Sequence, residues 1–412
     1  MKQQYDIRTD TFLGTTTGKR PVFTADSAKN VFICGTTGSG KTVALANYIK
    51  RAVDMGFPAL IVDGKGDTGA GSLLDIVQKL RGKKKVYVIN MTDPQHSDKY
   101  NPFKGASPTI AKDMLINLTD WSEEHYKLNT ERYLQRLVQL LHRAEVQLSF
   151  KSIIHFGEAE RFKALSARLL QEGLISKVDH SMNMELLKTS GRIAENALAR
   201  FATIAESELG EIFDDSGIDI YTAMQENAII LIILNPLIYP ELSPLMGRLI
   251  TIDSKKAISK LYQSGSNRTF FIMDEINVYA STALVDLVNK SRSANVTCVL
   301  ATQSLSDLDA AVNEAYKEQI IENCNNYLVL RQNSSINAEH WANILGTRET
   351  LEVTHQLQQS AMGTTETGFG SARRVREYLY HPDDIKSLQA GKAFFLSRDL
   401  NTHCKLNIHK PF

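Results

Sequence analysis

The segment Gly35-Thr36-Thr37-Gly38-Ser39-Gly40-Lys41-Thr42 sets glycines, a lysine and a hydroxyl residue at the GxxxxGK[ST] spacing. Glycines let such a backbone curl until successive amide N–H groups point at a phosphate, and a helix starting near Gly40 adds its positive end. In this arrangement the lysine, Lys41, reaches the β- and γ-phosphates of a nucleotide, and the hydroxyl of Thr42 ligates Mg²⁺. ATP and Mg²⁺ are therefore the expected cofactors. A second centre lies far along the chain, where the apolar run Thr269–Met273 delivers Asp274 and Glu275 at its carboxyl end. Asp274 is the expected Mg²⁺ ligand and Glu275 the expected base that orients and deprotonates the attacking water. Apolar strands often end in surface acids, so this pair takes its meaning from the loop upstream. Two adjacent acids favour hydrolysis over binding alone, because a scaffold needs no base.

Other polar strand ends offer supporting roles. Asp63, in Ile61-Val62-Asp63-Gly64-Lys65-Gly66-Asp67, either sits near a γ-phosphate or forms a turn. The run Val296–Ala301 ends in Thr302-Gln303-Ser304, where Gln303 either senses the γ-phosphate and its water or is incidental. Arg292, eleven residues earlier, is either a solvated helix end or a guanidinium projecting toward a neighbouring subunit's nucleotide. Localised positive charge falls at Lys83-Lys84-Lys85, Arg373-Arg374 with Arg376, and Lys65, which become the candidates for phosphate contacts under the DNA partner that the family resemblance named below implies, although the lysine triplet also reads as a solvated turn. None is interleaved with aromatics, so base stacking is not indicated and phosphate tracking is.

Elements must hold these residues together. Asn30–Cys34 reads as a strand and 41–55 as a helix with Leu45, Tyr48, Ile49, Ala52 and Val53 on one face, stopping at Gly56. Ala59–Val62 and Lys85–Ile89 follow as strands, with an amphipathic Leu73–Leu80 between them. That alternation implies a mostly parallel sheet and an α/β fold. From about Ser107 to Glu208 the pattern turns helical. Leu134, Leu137, Val138, Leu141 and Leu148 fall on one face, as do Ile193, Ala197, Phe201 and Ile204. The expected organisation is a nucleotide-binding domain over 1–106 and 209–412, interrupted by an all-α domain over 107–208. Ala228–Leu234, Thr269–Met273, Val296–Ala301, Tyr327–Leu330 and Lys392–Leu396 complete the sheet, and the glycine- and threonine-rich Met362–Ser371 reads as a flexible loop.

The chain has 412 residues, 43% apolar and 23% charged, with a formal charge of +1. It can build a sizeable core, and its overall charge points to no anionic partner, leaving localised patches open. The longest apolar run is Ala228–Leu234, far short of the roughly 18–20 residues that cross a bilayer. The start, Met-Lys-Gln-Gln-Tyr-Asp, is no secretory signal. Cys34, Cys298, Cys324 and Cys404 are expected as reduced, mostly buried thiols, and the histidines show no zinc-ligand spacing.

In order along the chain, these pieces resemble the conjugative coupling proteins of type IV secretion systems, the TraD/TraG-type ATPases of the FtsK/HerA group of RecA-like motors. The resemblance is carried by Phe12-Leu-Gly14, the loop at 35–42, Val62–Asp67 and Ser97-Asp-Lys-Tyr-Asn-Pro-Phe103. It continues through Met273-Asp-Glu275, Asn289-Lys-Ser-Arg292, Ala301-Thr-Gln-Ser304, Val375–Leu379 and Pro382–Leu388. It implies a hexameric, DNA-stimulated ATPase that engages DNA or a relaxase–DNA complex, with accessory DNA-processing proteins, and feeds it to a secretion channel. It assigns Arg292 as an intersubunit finger and Gln303 as sensor. Family members usually begin with transmembrane helices and this sequence shows none, so the anchor is missing from it, is a separate subunit, or the chain is a naturally soluble relative; the expected place is the cytoplasm at the inner face of the membrane, through a missing anchor or a partner. Rival readings are a soluble HerA-type translocase in repair or defence, and a nucleotide-gated docking receptor that does not pump.

Overall fold

The computed structural model describes residues 10–26, 29–118, 121, 123–264, 268–360 and 363–412, with side chains described except at 264, 353–360 and 363–371. The N-terminal hexapeptide and Met362 lie outside the described residues.

The strands are β1 (Asp10–Thr16), β2 (Pro21–Ala25), β3 (Val31–Cys34), β4 (Ala59–Asp63), β5 (Val86–Asn90), β6 (Ile229–Ile233) and β7 (Thr269–Met273). They continue as β8 (Val296–Thr302), β9 (Asn326–Val329), β10 (Thr347–Ser360), β11 (Gly363–Tyr378), β12 (Lys392–Ser397) and β13 (Thr402–Ile408). The helices before β6 are α1 (Lys41–Asp54), α2 (Leu73–Leu80), α3 (Pro108–Ile116), α4 (Glu124–Arg143), α5 (Phe150–Gly157), α6 (Ala159–Gln171), α7 (Lys177–Ala205) and α8 (Ile220–Gln225). After it come α9 (Leu242–Ser264), α10 (Thr282–Ser291), α11 (Leu305–Ala311), α12 (Glu314–Glu322), α13 (Ser335–Leu345) and α14 (Pro382–Lys386).

Eleven strands form one sheet in the order β2-β1-β13-β12-β9-β3-β8-β7-β4-β6-β5. From β9 to β5 every neighbour is parallel, so these strands share one carboxyl edge. Strands buried on both faces need continuous apolar sequence, and Ile229–Ile233 is entirely buried. Leu45 and Ile49 of α1 with Ile76 of α2 cover one face against Ile33, Ile61 and Ile272. The other face packs on the helical half of the chain, and one continuous core joins Phe32 and Phe271 of the sheet to Leu137 and Phe201 of the helices.

The expected strands and helices between 30 and 345 recur within a residue or two. Ser107 caps α3 by accepting from the Ile110 N–H, and Ser176 closes a capping box with Asp179 at the start of α7. Leu148 departs from its predicted place, because α4 stops at Arg143 and Leu148 is buried in the following loop. Phe12–Gly14, ahead of the strand expected at Asn30–Cys34, belongs to β1, which pairs antiparallel with β2 and β13. Asp26 ties this extension to α1, accepting from Thr11 Oγ1 at 2.6 Å and Arg51 Nε at 2.7 Å. The loop expected over Met362–Ser371 is corrected: from Gly363 on it is part of β11, paired with β10 in a separate two-stranded ribbon. Its order comes from the ladder with β10, which the local composition does not reveal.

Candidate nucleotide site

The shared carboxyl edge gathers the loop after β3, the acid pair after β7, Gln303 after β8 and Asp63 at the end of β4. The loop is shaped from outside. The Gly35 N–H donates to Thr302 O at 3.2 Å, the Thr36 N–H to Arg331 O at 3.0 Å and the Ser39 N–H to Thr36 O at 3.1 Å. Gly391, after α14, braces the loop from behind by donating to Ser39 O at 2.9 Å. Gly40 caps α1 at φ 113°, a left-handed value that a side chain would strain. Thr36, Thr37, Gly38, Gly40, Lys41 and Thr42 line a cavity of about 230 Å³ shared with Lys65, Asp274 and Glu275. Gly35 and Ser39 of the predicted set do not line it; they fix the loop's curvature.

Lys41 is buried, with Nζ 2.9 Å from Gly35 O and 3.1 Å from Glu275 Oε1. The same Oε1 accepts from Gln303 Nε2 at 3.1 Å, and Gln303 Oε1 accepts from Thr37 Oγ1 at 3.2 Å. A chain of contacts thus runs Lys41–Glu275–Gln303–Thr37. Glu275 sits at φ 48°, ψ 53°, a left-handed conformation that costs a residue with a Cβ roughly 1–2 kcal/mol. Such strain, held by surrounding structure, re-aims its carboxylate from the end of β7 into the loop.

Asp274 is fully enclosed. Burial pushes its carboxyl up to about 7, the neighbouring Glu275 and Asp63 add to the rise, and Lys41 opposes it. Asp63 rises to about 6 through burial, countered by the Lys65 and Gly66 N–H groups that donate to it. The residues present fit a Mg²⁺-nucleotide. An ammonium, N–H groups at a helix start and the Thr42 hydroxyl face buried acids, and Thr36 Oγ1 is buried there without a hydrogen-bond partner. Asp274 and Thr42 would hold the metal.

Arg292 is placed elsewhere. It follows α10 at the amino end of β8, exposed, with no ion pair to a described residue. The basic clusters also change meaning. Lys84 donates to Phe57 O and Asn227 O, and Lys85 pairs with Glu226 at 2.8 Å, so two lysines of the triplet hold the turn before β5 while Lys83 is exposed. Arg373 lies 3.4 Å from Glu352 and Arg374 3.9 Å from Glu349 across the ribbon. Lys65, expected among DNA contacts, lines the nucleotide cavity instead. Sequence reasoning missed that placement, the Thr37–Gln303 contact and the bracing by Gly391; the only signal was the glycine on each side of Lys65.

A parallel sheet with a phosphate loop, an acid pair two strands away and a polar strand end between them defines the RecA-like P-loop class. Within it, the chain belongs to the type IV secretion-system coupling protein DNA-binding domain family, whose family model matches residues 15–409. Its fold is similar to that of the bacterial conjugative coupling protein TrwB in an unbound form, with TM-score 0.68 and 18% identity over 99% of this chain and 90% of that one. TrwB in complex with ADP and Mg²⁺ matches with TM-score 0.68 and 18% identity, over 100% of this chain and 91% of that one. VirB4 of Thermoanaerobacter pseudethanolicus matches with TM-score 0.60 and 14% identity, over 98% and 97%. An uncharacterised protein of Mycoplasma pneumoniae is 32% identical over 101 residues, which are 24% of this chain and 67% of that protein.

Proposed function

We propose that this chain hydrolyses ATP as one subunit of a ring, coupling hydrolysis to the movement of DNA or a relaxase–DNA complex toward a type IV secretion channel. The observation that carries this reading is the contact chain Lys41–Glu275–Gln303–Thr37, of which Lys41, Glu275 and Thr37 line the cavity that also holds Asp274. Bound Mg²⁺ would neutralise phosphate charge, with Thr42 and Asp274 as its protein donors. Entry of a γ-phosphate draws Lys41 off Glu275, which frees that carboxylate to accept a proton. A water oxygen then attacks the γ-phosphorus, its proton passes to Glu275, and the bond to the β–γ bridging oxygen breaks, giving ADP and inorganic phosphate. Gln303 orients the water and, through Thr37, registers the loop's occupancy.

Arg292 acts on the next subunit's nucleotide in this reading, and the helical block 107–208 selects the transported substrate. Relaxase or accessory proteins are the partners, and the ring works in the cytoplasm at the inner membrane face. Among the described residues no helix is long and apolar enough to cross a membrane, so attachment there rests on a partner or on residues beyond those described. ATPase activity across protein concentration, with and without single- and double-stranded DNA, tests the proposal. Activity that rises with concentration and with DNA supports a ring motor. Nucleotide binding without turnover would instead leave a docking receptor.

A further inference from the structure

We infer that Lys65 is a second phosphate-facing cation of the hydrolytic site, acting on the γ-phosphate of ATP from the β4 side beside Asp274 and Glu275. β4 and β7 are neighbours, with Val62 opposite Met273 and the Asp274 N–H donating to Val62 O at 2.9 Å. The turn that leaves β4 is therefore forced alongside the acid pair. Asp63 Oδ1 accepts from the Lys65 N–H at 2.8 Å, which fixes the turn from its first residue. Gly64 is pressed on the acid corner: a Cβ there would lie 2.8 Å from Asp274 O and 2.9 Å from Glu275 Cβ. Gly66 adopts φ +76°, and its Cβ would lie 2.6 Å from Leu234 O at the end of β6. Both glycines are required by close approach, so the backbone around Lys65 is held on two sides.

Lys65 is then the one side chain between two pinned glycines, and it is exposed into the cavity that holds Asp274 and Glu275. The two lysines of this cavity differ in commitment. Lys41 already touches Glu275 at 3.1 Å, whereas Lys65 makes no ion pair with a described residue. An uncommitted ammonium, positioned by a rigid turn next to the base, is suited to charge that accumulates on the γ-phosphate as its bond to the bridging oxygen breaks. It transfers no proton; Glu275 takes the water's proton and ADP and phosphate leave. The inference rests on ATP hydrolysis being the activity of the chain.

The test uses the full chain carrying Lys65→Met, which keeps the apolar stem, and Lys65→Arg, which keeps the charge. ADP affinity, ATPase kcat and KM, and affinity for random-sequence single- and double-stranded DNA are measured for each. Removing one pre-organised donor costs about 10²–10³-fold in kcat at an enclosed site, so about 10–100-fold is expected at this more exposed one. ADP affinity and DNA affinity stay at parental values, and Lys65→Arg recovers part of kcat. An unchanged kcat in Lys65→Met, with an active parent, overturns the inference alone. A fall in DNA affinity with kcat intact assigns Lys65 to DNA instead and overturns it too. An equal loss in both substitutions, accompanied by lost ADP binding, makes the residue a structural one. A parent that binds ATP and never hydrolyses it defeats the proposed function and takes this inference with it.

Discussion

Asp274 offers a proton count as a test of the site. Burial and the neighbouring Glu275 and Asp63 push its carboxyl from an ordinary value of 3.8 up to about 7. At pH 7 it is therefore about half protonated, and at pH 8 about one-tenth. A Mg²⁺-nucleotide brings positive charge to that oxygen and favours the ionised form. Binding of Mg²⁺·ADP at pH 7 is expected to release about half a proton from Asp274, falling to about a tenth at pH 8. Titration calorimetry in two buffers of different ionisation enthalpy reads this number from the slope of the binding enthalpy. Protons released by the nucleotide itself cancel in the difference between the parental protein and Asp274→Asn. Equal slopes for the two proteins at pH 7 would refute the placement of Asp274 at the metal and the raised pKa together. Linkage adds a stability consequence with a fixed sign. A carboxyl whose folded pKa is raised contributes stability that is fully present below 3.8 and is lost as pH rises through 7. Roughly three pH units at about 1.4 kcal/mol each give at most about 4 kcal/mol. Asp274→Asn should therefore stabilise the nucleotide-free protein at pH 8 and not at pH 4.

Lys41→Ala should weaken nucleotide binding and abolish turnover, read by equilibrium binding and phosphate release. Glu275→Gln should keep ATP binding and lose roughly 10²–10⁴-fold in kcat, and a parental rate would remove Glu275 from the role of base. Arg292→Ala should bind ATP normally and lose about 10³-fold or more in turnover, while mixing it with Glu275→Gln restores partial activity at interfaces where both residues are intact; no recovery combined with a near-normal Arg292→Ala protein would make it an ordinary surface residue. Lys256→Met should cost about 3–5 kcal/mol in urea denaturation, because Lys256 is buried 3.1 Å from Asp219 and 2.8 Å from Asp253 and its loss strands both acids.

The parts of the site that were legible in sequence are those set by short-range rules. The phosphate loop is one contiguous turn marked by its spacing, and Asp274–Glu275 stand at the end of an apolar strand, a weak signal that the loop upstream made specific. Gln303 needed strand order as well, and β8 does lie between β3 and β7. What stayed hidden depends on contacts far apart in the chain. β1 is a Thr- and Gly-bearing strand that owes its place to β13, some four hundred residues on, and no local periodicity announces that pairing. The β10–β11 ribbon pairs with itself outside the main sheet, so it lacks the apolar alternation by which strands are recognised. Lys65 read as a candidate DNA-phosphate contact because its placement at the cavity is fixed by Gly64 packing against Glu275, a contact between residues far apart in sequence. The Tyr-Asn-Pro-Phe element was visible but its purpose was not. Tyr100 donates to Asp253 at 2.8 Å and Lys256 donates to Pro102 O at 2.7 Å, so the motif joins the helical block to α9 through a buried charge cluster.

The direction of the parallel strands also decides which residues share one chain's site. Lys41, Gln303 and Glu275 follow the carboxyl ends of β3, β8 and β7 and meet directly. Arg292 precedes β8, and the Ser291 next to it is tied to the opposite end of β3 through Asn30, which also accepts from the Cys298 N–H. Thr302 stands opposite Cys34 beside the phosphate loop. From Val296 to Thr302 the strand spans about 20 Å at roughly 3.3 Å per residue, several times what an arginine side chain can bridge. No rotamer brings this guanidinium to its own chain's nucleotide. Arg292 therefore stands at the far end of β8 from its own chain's phosphate loop, the placement that the proposed role on a neighbouring subunit's nucleotide requires.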